Sequence, residues 1–149
     1  MTKLADALSG VTRIGLDTAP IIYLIEEHPD YLPIVAPLFE QIDAGVYTAV
    51  TSTITVAEVS VMPLRLNRPE IQSQYLDLLL HSVNFETKPI DAALAQAGAA
   101  LRAHYNIRLP DALQLAAALD AGCEVFVTND AALTRVSEIR VLAISELEA

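Results

Sequence analysis

Thr12-Arg13-Ile14-Gly15-Leu16-Asp17-Thr18-Ala19-Pro20-Ile21-Ile22-Tyr23-Leu24-Ile25 changes its periodicity in the middle. Thr12 to Leu16 reads as a short strand, and Asp17-Thr18 then opens an apolar helix from Ala19 to Ile25. Pro20 suits that helix, because the first turn has no use for its missing N–H. A strand that runs directly into a helix is half of a crossover unit, and the rest of the chain repeats the pattern.

Asp30 is the expected cap of a second helix running to about Ala44, with Gly45 as its stop. Val46 to Thr51 has the β-branched and aromatic content of a buried strand. Ser52 or Thr53 then caps a helix that passes through Glu58 to about Arg65, and Pro69 opens another through Leu80. Val83 to Thr87 alternates like a strand, and Asp91 caps an Ala-rich helix ending near Tyr105-Asn106. Pro110 starts a helix that Gly122 stops, Val125 to Thr128 is an apolar strand closed by Asn129-Asp130, and Ile139 to Ile144 is the last strand. Strands alternating with helices require crossovers, so the sheet is expected to be parallel and covered on both faces. The expectation is an α/β protein, a three-layer α/β/α sandwich. Residues 1–149 form a single domain in this reading, and residues 1–10 are a short N-terminal extension with a helix at Leu4 to Leu8.

Hydrophobic residues make up 53% and charged residues 19%, a balance that belongs to a folded globular chain. No apolar stretch approaches the ~20 residues that cross a bilayer, and no secretory pattern opens the sequence. Cys123 has no partner for an internal disulfide, which agrees with a reducing cytoplasm. It reads as a small core residue. The net charge of −10 argues against a broad basic surface for nucleic acid and offers a surface to a basic partner.

Ligands of open parallel sheets bind beyond the carboxyl ends of the strands. Asp17 follows the first strand, Glu58 lies two turns into the helix after the second, and Asp130 follows the Val125 strand. Asp111 stands behind Pro110 in the first turn of its helix, where free N–H groups and the dipole favour a carboxylate. Clustered carboxylates repel one another, and a hard cation such as Mg²⁺ or Mn²⁺ relieves that repulsion through oxygen ligands. The alternative is that Asp17 and Asp111 are helix caps, Glu58 belongs to a solvated face and Asp130 to a turn. Position alone leaves both readings open.

Leu16-Asp17-Thr18-Ala19-Pro20-Ile21-Ile22-Tyr23 resembles the opening of PIN domains, an Asp-Thr pair followed by an apolar helix. Thr51-Ser52-Thr53-Ile54-Thr55-Val56-Ala57-Glu58-Val59 resembles their second motif, a Ser/Thr-rich strand end leading to a Glu. Leu109-Pro110-Asp111-Ala112-Leu113-Gln114-Leu115-Ala116-Ala117-Ala118 resembles the third, and Val127-Thr128-Asn129-Asp130 the fourth. The ordered set covers about residues 11–144 and is most similar to the toxin subunits of VapBC-type toxin–antitoxin pairs, which commonly begin almost at the first strand. The resemblance implies a PIN-like fold and an endoribonuclease that needs Mg²⁺ or Mn²⁺. It also implies a homodimer with an antitoxin partner. Asp17 and Asp111 would be the principal metal ligands, and Glu58 and Asp130 would complete a catalytic acidic pocket. Thr18, Thr128 and Asn129 would orient the carboxylates. Hydrolysis of this kind leaves a 5′-phosphate and a 3′-hydroxyl. A PIN-like binding module without catalysis is the other reading, and it predicts missing carboxylates, whereas all four are present.

Other chemistries fit less well. His28, His81 and His104 have no zinc-ligand spacing, and the 5 glycines form no phosphate loop. Ser52 and Ser60 lack a Gly-x-Ser-x-Gly setting. A phosphoacceptor domain needs a lysine after a late strand, but the lysines are Lys3 and Lys88. A haloacid-dehalogenase-like phosphatase needs Asp-x-Asp where this chain has Asp17-Thr18-Ala19. Arg65, Arg68, Arg102 and Arg108 are candidates for phosphate contacts, with surface solubility as the plain alternative. Tyr23, Tyr75 and Tyr105 fall at apolar helical positions and read as core residues.

Overall fold

The computed structural model describes residues 1–149. Its centre is the strand β2 (Arg13–Leu16), which the opening motif marks out. β2 pairs in parallel with β3 (Thr48–Ser52) on one side and β5 (Val125–Thr128) on the other. β4 (Phe85–Lys88) and β6 (Arg140–Ala143) complete a five-stranded parallel sheet of order β4-β3-β2-β5-β6. Helices lie on both faces, as the alternation of strands and helices requires. The fold is therefore the expected α/β/α sandwich.

Residues alternate between the two faces of each strand, and the two halves of the core follow that alternation. Ile14, Leu16, Ala49, Val125 and Val127 point into one apolar cluster. It is filled by α1 (Leu4–Ala7), α2 (Thr18–Ile25), α3 (Leu32–Asp43) and α5 (Pro69–His81), together with Val59 of α4 (Thr53–Arg65). Val50 and Phe126 point the other way, into a cluster built with α6 (Ala92–Tyr105) and α7 (Leu109–Asp120). Gly15 faces this second side. A Cβ there would lie 2.7 Å from Ala118 Cβ and 3.0 Å from Phe126 Cδ1. The missing side chain lets α7 settle onto the central strand, and α7 carries Asp111.

Several element boundaries differ from the sequence expectation. Asp30 does not cap α3. The cap position is Tyr31, without a side-chain bond, and His28 Nδ1 instead accepts the N–H groups of Asp30 and Tyr31. Val46 stays exposed outside β3, and β4 starts two residues later than its alternation suggests. The last expected strand ends at Ala143, followed by a 3₁₀ turn and a two-residue strand, β7 (Leu147–Glu148). β7 pairs in parallel with β1 (Thr2–Lys3), a second small sheet with no counterpart in the sequence reading. Through this pair Leu4, Ala7, Leu8 and Leu147 join the first apolar cluster. No helix is long and apolar enough to cross a membrane.

Candidate functional site

The carboxyl ends of β2, β3 and β5 open on the same edge of the sheet. An open cleft of about 320 Å³ at that edge is lined by Asp17, Glu58, Asp111 and Asp130, with Tyr23 and Arg108 at its margin. Four elements deliver the carboxylates. Asp17 ends β2 and caps α2, Glu58 projects from α4, Asp111 sits in the first turn of α7, and Asp130 follows β5. The structure thus brings all four sequence candidates to one place. Of the two caps in the alternative reading, Asp17 is one, its Oδ1 accepting the Thr18 N–H. Asp111 instead lies inside the first turn of α7, whose cap position is Arg108. Asp130 caps the following 3₁₀ turn, its Oδ1 accepting the Ala132 N–H. A larger groove of about 630 Å³ beside α6 and α7 is mainly apolar, with Asp91, His104, Asp120 and Glu138 as its charged or titratable lining.

Asp17 is 8% exposed, and its oxygens are held from two sides. The Thr18 N–H donates to Oδ1 at 2.8 Å, and the Thr128 hydroxyl donates to Oδ2 at 2.7 Å. Burial pushes its carboxyl above the usual range. These hydrogen bonds oppose the shift, and the nearby Glu58 and Asp130 charges add to it. Asp111 is raised to about 6, first by burial and then by Asp17, with smaller contributions from Asp130 and Glu58. Arg108 works against that rise, its Nε lying 3.9 Å from Asp111 Oδ2. Negative charge is therefore concentrated here at a cost to the empty site.

Beneath the carboxylates lies a buried polar network that the sequence reading passed over. Gln114 of α7 is 2% exposed and stands at its centre. Its Oε1 accepts the Ser52 hydroxyl at 2.5 Å, and its Nε2 donates to Thr55 Oγ1 at 2.6 Å and Thr18 Oγ1 at 3.1 Å. An amide donates only through nitrogen, so both threonine hydroxyls must send their own protons onward. Thr18 donates to Glu58 Oε1 at 2.7 Å. Thr55 donates to Thr51 Oγ1 at 2.8 Å, because the Thr51 proton is already given to the Leu16 carbonyl. The signal for Gln114 was present as a lone amide within the apolar run Ala112 to Ala118. Polar groups in such runs need partners.

Several expectations are corrected around the cleft and beyond it. Asn129 does not orient a carboxylate: its Nδ2 donates to the Tyr23 hydroxyl at 2.7 Å, and its Oδ1 accepts the Ser145 N–H. Tyr23 is half buried: it packs against the edge of the first apolar cluster and against His28 and Tyr31, and it also forms a wall of the cleft. Tyr75 is core, while Tyr105 bonds Ser137 and Glu138 at the surface. Arg102 donates to the Ile107 carbonyl away from the cleft, and Arg68 pairs with Glu70. Cys123 is buried, as expected.

The donor set suits a hard divalent cation, since it is made of carboxylate oxygens whose mutual repulsion a cation would relieve. No three His, Cys, Asp or Glu side chains are gathered tightly enough to enclose an ion by themselves. Mg²⁺ needs no such cage, because it keeps several waters and takes one or two carboxylates.

The PIN domain family model matches residues 14–139. A chain of the VapBC2 complex of Rickettsia felis, bound to a promoter DNA fragment, is 21% identical with a TM-score of 0.69, covering 89% of this chain and 98% of that one. A chain of a toxin–antitoxin complex from Klebsiella pneumoniae is 23% identical with a TM-score of 0.66, covering 88% and 97%. VapC20 of Mycobacterium tuberculosis, a toxin that cleaves the sarcin–ricin loop, is 15% identical with a TM-score of 0.67, covering 85% and 98%. No curated protein matches the sequence significantly. At these identities the solved structures speak to the fold alone. The family model spans all four carboxylates and most of the elements that carry them, and on that match the chain belongs to the PIN domain family.

Proposed function

We propose that this protein is a metal-dependent endoribonuclease, the toxin of a type II toxin–antitoxin pair. The observation that carries the reading is the convergence of Asp17, Glu58, Asp111 and Asp130 on one cleft at the carboxyl edge of the sheet. Asp17 and Asp111 would hold Mg²⁺ or Mn²⁺, with Glu58 and Asp130 completing the pocket. When bound, such a cation supplies positive charge against a phosphodiester and acidifies the water that cleaves it. The chain's own groups do the positioning. The Thr128 hydroxyl and Thr18 N–H fix the rotamer of Asp17, and Thr18, polarised by Gln114, fixes Glu58. Asp111 is raised to about 6 in the metal-free cleft, so a cation binding there would displace its proton and would bind less well as pH falls.

An antitoxin partner is supported by the likeness to chains solved in toxin–antitoxin complexes. It is also supported by the net charge of −10 and by exposed Val61, Met62, Leu64 and Leu66 at the end of α4 and just beyond it. A cytoplasmic location and a homodimer belong to the same reading.

The test is cleavage of mixed RNA by the purified protein with Mn²⁺ or Mg²⁺, beside an EDTA control, Asp17→Asn and Asp111→Ala. Cleavage that leaves 5′-phosphate ends and disappears in all three controls, with circular dichroism unchanged, is expected. Recovery of 2′,3′-cyclic phosphate ends would show attack by the neighbouring hydroxyl and overturn the reading. So would wild-type cleavage by Asp17→Asn.

A further inference from the structure

An acidic cleft in an acidic protein repels the backbone of the substrate proposed for it, so something in the chain must offset that repulsion. The chain has 9 lysines and arginines. Arg13 is paired with Glu86, Arg68 with Glu70, and Lys88 with Glu86 and Asp120. Arg102 donates to the Ile107 carbonyl and lines neither the cleft nor the groove beside it. Lys3, Arg65 and Arg140 do not line the cleft. Arg108 does, with its side chain 70% exposed and its only carboxylate contact a loose one at 3.9 Å.

The cleft does not end at Arg108. A second groove continues from it, sharing Arg108, Asp111 and Asp130 and adding Arg135 on its far wall. Arg135 follows from the 3₁₀ turn Ala131–Arg135, which Asp130 itself caps. One guanidinium nitrogen, NH2, donates to the Asn106 carbonyl at 3.3 Å. Asn106 is the left-handed residue that ends α6, so this bond anchors the guanidinium to a defined corner of the backbone. Guanidinium has five N–H donors, and most of those on Arg135 stay free for an anion.

We infer that Arg108 and Arg135 form a phosphate track, which receives the RNA backbone on the α7 side of the carboxylates and leads it into the cleft. The assignment rests on the ribonuclease reading for its ligand. The two arginines bind successive phosphates next to the one held at the carboxylates. Bidentate guanidinium contacts suit such oxygens, and contacts of this kind fix register and direction without reading bases. Only one end of the cleft carries free positive charge, so the strand enters from that end.

The track is tested by equilibrium binding rather than by cleavage, so it stands or falls independently of the nuclease assignment. A fluorescent single-stranded oligoribonucleotide is titrated with the wild-type protein in EDTA at several salt concentrations, beside Arg108→Ala, Arg135→Ala and Arg140→Ala. Each phosphate contact on a single strand contributes about 0.7 to the slope of log affinity against log salt. Arg108→Ala and Arg135→Ala are each expected to weaken binding several-fold and to flatten that slope by about 0.7, and the double variant by about twice as much. Arg140→Ala is expected to leave both quantities at their wild-type values. An unchanged slope in Arg135→Ala overturns the track. An equal loss in Arg140→Ala overturns it too, because general surface charge would then account for binding. Absence of wild-type binding at the lowest salt likewise overturns it.

Discussion

Asp111 shows at the scale of one residue what the site costs the fold. Its carboxyl is raised to about 6, whereas an unfolded chain leaves an aspartate near 3.9. A group with a raised folded pKa favours the native state while protonated, and that contribution is lost as pH rises through the folded value. Below pH 4 Asp111 is neutral in both states and costs nothing. Between pH 4 and 6 the unfolded chain ionises first, and above pH 6 the native state carries the full penalty. Asp111→Asn removes the charge, so in EDTA it is expected to be more stable than wild type at pH 7.5 by on the order of 1 kcal/mol, after allowing for solvent screening. Thermal unfolding from pH 4 to 8 checks this, and the gap should close towards pH 4. A gap that widens at low pH would mean that Asp111 is stabilising. The carboxylate positions were legible in the sequence because strand ends and a Pro-led helix start fix where such residues point. Their strain was not legible, since it comes from burial and from neighbours far apart in the chain.

Among the elements, α7 does the most to assemble the site, and it does so from both ends. Its first turn carries Asp111, while Ala118 near its other end rests on Gly15 of β2. Between them Gln114 ties α7 to Ser52 of β3, Thr55 of α4 and Thr18 of α2. Gln114→Met keeps the bulk and the helix propensity but leaves three hydroxyl groups without their amide partner. It is expected to cost about 1–3 kcal/mol in urea unfolding. A neutral result would mean that the hydroxyls satisfy one another. The helices and long strands were readable from apolar period and punctuation, as with Pro69, Asp91 and Gly122. The start of α3 was misread because His28, two positions before Asp30, supplies the local acceptor. Two-residue strands such as β1 and β7 carry no period at all, and only tertiary pairing defines them.

For the whole molecule, the parallel sheet sends every strand's carboxyl end to one edge, which is why residues as distant as Asp17 and Asp130 meet. The opposite task, closing the apolar cluster, falls partly to the chain's first residues. Leu8 is 1% exposed against that cluster. Leu8→Ala is therefore expected to cost about 2–5 kcal/mol of unfolding free energy, as for other buried leucines. A loss below 0.5 kcal/mol, measured by urea titration, would mean that residues 1–8 are only loosely attached. The pairing of Thr2 with Leu147 and of Lys3 with Glu148 also sets an order in time. Contacts between segments so far apart in sequence are slow to find, because the long loop between them must close first. On the ribosome, Thr2 and Lys3 are made before the strands of the main sheet, and they wait without partners until Leu147 and Glu148 follow. Until Leu147 emerges, the apolar seam that it closes with Leu4, Ala7 and Leu8 stays open on the newborn chain.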